Sequence, residues 1–385
     1  MDWVVNGAAA LLMCISLVAI ASAKPAELFQ QSIAFGIGIV LLLACAAIDW
    51  RPLTTHRSVV FLIYGVGMAL LVATYFFAPT IRTTRSWLVV GPVQFQTSEF
   101  IKVALIILYS YYFARRHTGI AELKNIIIPF LYALIPIVFI LIQPDMGSAL
   151  IIGGVWVIYL FVSGLNMRHI VVGLCIATLI GFFGWNYLQG YQRERVKGLF
   201  NPQYDPLGVN YSVIQSKIAI GSGGMLGTGF RQGTQTQLGF LPEPANDFIF
   251  SSIAEEWGAV GVFLLLGAFG VLIARILYIG VTAHGNFGKL ICLGTAGLLL
   301  LHIAINIGSA VGFVPVDGLQ IHLSGAEQLL CRADVEVGQS AAIHGITDDA
   351  LAGGLDLRAL VERVAEALTG RVLLAHHAVI ETEFL

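Results

Sequence analysis

Nine stretches of the sequence, near residues 3–22, 31–49, 58–79, 100–114, 126–142, 147–164, 169–188, 251–279 and 288–314, stay apolar for most or all of the length a helix needs to cross a bilayer. They set the fold class: an all-α polytopic membrane protein of about nine transmembrane helices, the fourth of them short. Composition agrees, with 57% hydrophobic residues, 11% charged residues and a mean hydropathy of +0.83, far from the soluble average. A net charge of -2 leaves no basic excess for neutralising phosphates, so no nucleic-acid partner is expected. The five cysteines (Cys14, Cys45, Cys175, Cys292, Cys331) lack the paired spacing of a metal site or disulfide framework and read as small apolar fillers. The first run follows an acidic residue and has no convincing cleavage site, so it is expected to be a retained helix.

Basic residues choose the orientation. Loops 50–57, 115–124, 165–170 and 275–289 carry Arg51, Arg57, Arg115, Arg116, Lys124, Arg168, Arg275 and Lys289, whereas the short loops of the opposite face carry Lys24, Arg82 and Arg85. The N-terminus is therefore expected in the cytoplasm and the long polar segment 189–250 outside it. That segment is too long for a simple connector and too rich in Gly, Gln and Asn for a span, which makes it a functional loop. Near residue 320 the chain turns soluble and acidic, with ten Asp and Glu against four Lys and Arg from Gln320 to Leu385. We divide it into a transmembrane domain, 1–319, and a tail, 320–385.

Several charged groups lie at the edges of the apolar runs. Glu99 and Lys102 stand three apart at the start of a span, where each offsets the other's desolvation; they are either a structural pair or a pair facing a cavity. Arg85, beside Trp87, is an interfacial anchor or a ligand. Asp145, between two spans, suits a helix cap. Arg193, Arg195 and Lys197 form a basic patch on the outer face, and lipid head groups alone could account for them; Arg193 and Arg195, if extended, point the same way and can grip one anion together. The glycines of "GSGGMLGTG" do not match a nucleotide loop and suit tight turns and close backbone packing. In "FLPEPANDFIF", residues 240–250, Glu243 and Asp247 close the polar segment. Asp247 could cap the helix that follows. Its position directly before Phe248, Ile249 and Phe250 also places a carboxylate where water thins, which raises its pKa toward the range of a general base. Of Glu255 and Glu256, farther into the span, at least one must face protein or a cavity.

The motifs "RSWL" with "FQTSEFIK", "QPDMGSAL", "YQRERV", "NPQYDPLG", "IAIGSGG", "GTQ", and "FLPEPANDFIF" with "AEEWG" together resemble the SEDS family (shape, elongation, division and sporulation), its RodA branch more than its FtsW branch, from the N-terminus to about Val316. Gln96-Thr97-Ser98-Glu99 stands where the family usually has Gln-Pro-Ser-Glu, and Asn246 where Thr is common. The resemblance implies a peptidoglycan glycosyltransferase that polymerises lipid II at the outer face of the membrane beside a class B penicillin-binding protein transpeptidase, with Asp247 as its essential acid. In such a reaction the acceptor hydroxyl must lose a proton as it attacks the anomeric carbon, which assigns Asp247 as base. The departing diphosphate needs cations, and Arg85, Arg193, Arg195 and Lys102 are the candidates, with Glu99 and Glu243 also placed among the substrate-binding residues. The outer loops hold no Asp-x-Asp pair, and no cofactor is assigned, with a divalent cation left open. The alternative is a transporter or flippase of the same lipid-linked precursor.

Past the ninth run the family continues with a tenth helix, whereas here "IHLSGAEQLL" departs from its pattern. Residues 341–385 instead resemble part of a DnaQ-like 3′–5′ exonuclease domain without its first acidic motif, so the tail is expected to be a foreign or truncated fragment with no nuclease activity.

Overall fold

The computed structural model describes residues 2–48, 56–79, 86–90, 93–115, 124–162, 173, 190, 193, 197–198 and 210–313. Span 169–188 apart from residue 173, Arg85, Arg195 and the 320–385 tail lie outside the described residues. Contacts group the chain into Met1–Ile321 and His322–Leu385, and only the first unit contains described residues.

The helices, in chain order, are α1 (Trp3–Ala23), α2 (Leu28–Ala47, entered through a 3-10 turn at Pro25–Glu27), α3 (Arg57–Phe77), α4 (Thr97–Ala114), α5 (Lys124–Ile142), α6 (Met146–Val162), α7 (Tyr211–Ser222), α8 (Thr234–Gln237), α9 (Ile249–Thr282) and α10 (Asn286–Val311). Eight of the nine apolar runs fall on these helices. Among the described residues, five segments (α1, Pro25–Ala47, α3, α9 and α10) are long and apolar enough to cross a membrane, and Ile126–Ile142 and Met146–Phe161 are shorter apolar helices. The chain is a helical, multi-pass membrane protein.

The sequence reading of an all-α fold missed a small hairpin of β1 (Trp87–Val90) and β2 (Val93–Gln96), paired antiparallel with Trp87 opposite Gln96 and Val90 opposite Val93. Val and aromatic residues around Gly91-Pro92 are a hairpin pattern, hidden in the approach to an apolar run.

One core joins α3, α4, α5 and α6 through Leu71, Ile101, Leu105, Tyr109, Ile140, Ile152 and Tyr159, with Leu298, Leu301 and Ile305 of α10 packed against it. Asp145 caps α6, accepting a bond from Ser148 N at 2.9 Å. α1 runs along α9 and is tied at its start to α9 and at its end to the segment that precedes α9. At its start Asp2 accepts bonds from Val4 N and Val5 N and receives Arg275 Nη2 at 2.8 Å. That guanidinium holds the Asp2 carboxyl below the usual carboxylate range. At the other end, Arg231 Nη2 donates to Ala21 O at 2.7 Å and Gln237 Nε2 to Ser22 O at 3.3 Å, taking up carbonyls that the last turn leaves without helical partners.

α9 is not one continuous helix. Gly258 adopts φ 64°, ψ -161°, a conformation open to glycine, and breaks the ladder within an apolar segment. In hydrocarbon the freed groups would be costly unless protein partners met them. The 223–229 loop supplies those partners: Thr228 N and Gly229 N donate to Glu255 O and Glu256 O at 2.9 and 3.0 Å, while Ala259 N and Val260 N donate to Gly224 O and Met225 O at 2.9 and 3.2 Å. Only a chain without a side chain at Gly227 fits so close, since a Cβ there would collide with the Glu256 carbonyl.

Candidate active site

Asp247 lies in the turn that leads into α9. The carbonyl of Glu243 accepts Asn246 N at 3.2 Å and Phe248 N at 3.3 Å, so the backbone on both sides of Asp247 is tied to one oxygen. Phe248 is fully buried and clusters with Leu241, Phe250, Ala219 of α7 and Ala310 of α10, which anchors the turn from below. Asp247 is thus half-buried between an exposed Asn246 and a buried Phe248. From the other side, Asn306 Nδ2 of α10 donates to Asp247 O at 3.2 Å. The N-cap position of α9 falls on Phe248, whose ring cannot accept a hydrogen bond, so the cap position is not held by Asp247.

Glu243, read from sequence as a substrate contact, has protein partners. Its carboxylate receives Lys24 Nζ at 2.8 Å and Asn246 Nδ2 at 3.3 Å. Its φ of 49° lies in the left-handed region that non-glycine residues seldom adopt, a strain that tends to gather at functional sites. Lys24 also reaches Glu27 at 3.3 Å. Burial alone would lower the Lys24 pKa, but the bond and charge of Glu243 together with Glu27 outweigh it and leave the ammonium above its ordinary value.

Below the turn, a cavity of about 320 Å³ opens between α1, α9 and α10. Its walls are apolar, with Ile15, Ile249, Phe250 and Leu265 among them, and His302 and Asn306 contribute polar groups. These two stand four residues apart on one face of α10. The same Asn306 holds the backbone of Asp247, so the cavity and the acid share a wall. An apolar chain has the chemistry to occupy such a space.

Glu99 and Lys102 pair at 2.6 Å, and His302 joins them, its Nε2 3.0 Å from Lys102 Nζ and 3.8 Å from Glu99. His302 Nδ1 lies 2.9 Å from the Leu298 carbonyl, which accepts and therefore fixes the proton on Nδ1; Nε2 is then the acceptor for the Lys102 ammonium. Lys102 is buried, while Glu99 keeps about half its side chain exposed. The ammonium therefore ties α4 to α10 behind the cavity wall and does not reach its surface. Arg193 is half-buried.

Glu255 and Glu256 are both buried in protein. Glu255 accepts Gln235 N at 2.7 Å and Thr236 N and Oγ1 at 3.0 and 2.7 Å, capping α8. Glu256 accepts Ser22 Oγ and Gln237 Nε2. These acids hold the loop against α9 and α1. Among the described residues no three His, Cys, Asp or Glu side chains are grouped to hold a metal ion.

The sequence reading passed over His302, Asn306 and the contact of Lys24 with Glu243. A His and an Asn four residues apart inside an apolar run are a signal for an inward-facing polar stripe. Lys24 carries no such signal, since its partner lies 219 residues away.

The cell cycle protein family that groups FtsW, RodA and SpoVE matches residues 2–325. Peptidoglycan glycosyltransferase MrdB of Escherichia coli (strain K12) is 36% identical over 312 residues, covering 80% of this chain and 83% of the relative. Peptidoglycan glycosyltransferase RodA of Treponema pallidum (strain Nichols) is 27% identical, covering 77% and 84%. Among solved structures, a chain from work on how a peptidoglycan synthase complex coordinates polymerization and crosslinking superposes with a TM-score of 0.71 at 32% identity, covering 83% of this chain and 90% of that one. The rod shape determining protein RodA of Thermus thermophilus gives 0.60 at 28%, covering 83% and 88%. With the match running through every described helix, this chain belongs to the FtsW, RodA and SpoVE family of cell cycle proteins.

Proposed function

We propose that the chain is a peptidoglycan glycosyltransferase that polymerises lipid II into glycan strands at the outer face of the cytoplasmic membrane, for cell elongation and shape, within the RodA branch. The observation that carries this reading is a half-buried Asp247 whose backbone is held by Asn306, a residue that also lines an apolar cavity. A lipid-linked sugar needs that combination: apolar walls for the isoprenoid and an acid at the water boundary for the sugar. The naming of 36% identical relatives as peptidoglycan glycosyltransferases supports it.

In the reaction, Asp247 accepts the proton of the acceptor hydroxyl as its oxygen attacks the donor's anomeric carbon. Displacement from the opposite face inverts that centre and needs no covalent enzyme intermediate, by analogy with inverting glycosidases. The bond to the lipid diphosphate breaks, and Arg85, Arg193 and Arg195 are assigned to its developing charge. Lys102 is buried and acts only through the field it adds behind His302. Glu99, exposed beside it, remains a candidate substrate contact. The assigned partner is a class B penicillin-binding protein transpeptidase that crosslinks the strands.

The test supplies lipid II to vesicles that carry the purified chain and follows glycan polymer and lipid II translocation in parallel, with a chain ending at Val316 alongside. Polymer without net translocation is expected. Translocation without polymer would overturn the reading in favour of a flippase.

A further inference from the structure

The Asp247 turn is held from two sides, by α10 and by α1. On the α10 side Asn306 binds the Asp247 carbonyl. On the other side stands α1, whose outer end is joined to the 231–256 segment by Arg231 on Ala21, by Gln237 and Glu256 on Ser22, and by Lys24 on Glu243. Of these, the Lys24 contact bears most directly on the turn.

We infer that Lys24 is a positioning residue for the glycosyl transfer: its ammonium, 2.8 Å from Glu243, holds the left-handed residue whose carbonyl ties the backbone on both sides of Asp247. The inference rests on the assignment of Asp247 as base. Three features of the geometry carry it. Glu243 at φ 49° is in a conformation that a free chain seldom adopts, so it needs an outside restraint, and Lys24 supplies one. The Glu243 carbonyl accepts both Asn246 N and Phe248 N, so a rotation of residue 243 turns Asp247 with it. Its carboxylate also receives Asn246 Nδ2, so the grip of Lys24 passes to the residue directly before Asp247. Because Lys24 follows the last turn of α1, the position of the acid is referred to a transmembrane helix that also walls the cavity through Ile15. The acid and the apolar space then share one frame, and the acceptor hydroxyl meets a carboxylate of fixed direction. Lys24 need not touch the substrate for this role.

The test compares full-length wild type with Lys24→Met, Lys24→Arg, the reversed pair Lys24→Glu with Glu243→Lys, and Asp247→Asn in polymerisation of purified lipid II, with melting in detergent recorded for each. Lys24→Met should lower kcat by roughly tenfold to a hundredfold, since a misdirected base loses near-attack geometry. KM for lipid II should stay within about threefold of wild type, as expected when an interaction needed only in the transition state is lost. Lys24→Arg should keep most of the activity, and the reversed pair should regain part of what Lys24→Met loses. Wild-type kcat in Lys24→Met, or a loss confined to KM, would overturn the inference, as would a folded reversed pair with no recovery. If Lys24→Met fails to fold, Glu243→Gln decides: it keeps the side chain's shape, and its kcat should fall in the same way, whereas a wild-type kcat refutes the role. A wild type that makes no glycan, or an Asp247→Asn that matches it, would instead defeat the assignment of the base and leave a different result from failure of Lys24 alone.

Discussion

Glu255 shows how an acid within an apolar helix can be structural. Its carboxylate is fully buried and accepts two backbone N–H groups and two hydroxyls from the start of α8. Glu255→Gln keeps the volume but replaces an accepting oxygen with a donor, leaving Gln235 N or Thr236 N unsatisfied. We expect a loss of roughly 1–3 kcal/mol, read as a lower melting temperature in detergent. An unchanged melting temperature would remove the capping role. At this scale the sequence marked Asp247, Glu99 and Lys102, because an ionisable group beside a run of Phe and Ile is conspicuous anywhere in a chain. It did not reveal what those groups face. Glu243 turned out to pair with Lys24, and Lys102 with His302 200 residues away, and no local pattern carries such distances.

The elements owe their legibility to the same source. A helix in lipid must be apolar over most of its length, so eight runs could be placed from composition alone. The break in α9 could not be placed, since one glycine among apolar residues looks ordinary until the loop that fills the gap is seen. Gly258→Ala should be severe: alanine is strained at φ 64°, and its Cβ would meet the backbone of Gly227 and Met225. A cost on the order of 3 kcal/mol or more follows, and little folded protein should be recovered by size exclusion. A folded, stable Gly258→Ala would show that the break is not required. The contact between α1 and α9 at Asp2 gives a second prediction. Arg275 lowers the Asp2 pKa below 3.8, so the stability it adds is present above that value and is lost as pH falls through the lower folded pKa. Wild type should lose more melting temperature than Asp2→Asn on acidification below pH 3.8, and parallel losses would contradict the assignment.

Across the whole molecule, the described helices supply the parts a lipid-linked sugar polymerase needs. α1, α9 and α10 wall an apolar cavity, α9 begins just after an acid, and segment 223–248 is fastened to that helix by buried carboxylates and backbone bonds, so the acid is held on a rigid support. The cations assigned to the diphosphate come from the outer loops read in sequence, and Arg193 is the one of them within the described residues. The central claim is that Asp247 takes the acceptor's proton. Its most direct measurement is the rate of glycan formation from saturating lipid II by the purified chain and by Asp247→Asn, with lipid II affinity measured on both. The account predicts a fall of roughly 10²–10⁴-fold in rate at nearly unchanged affinity. Asp247→Asn polymerising at the wild-type rate would contradict it.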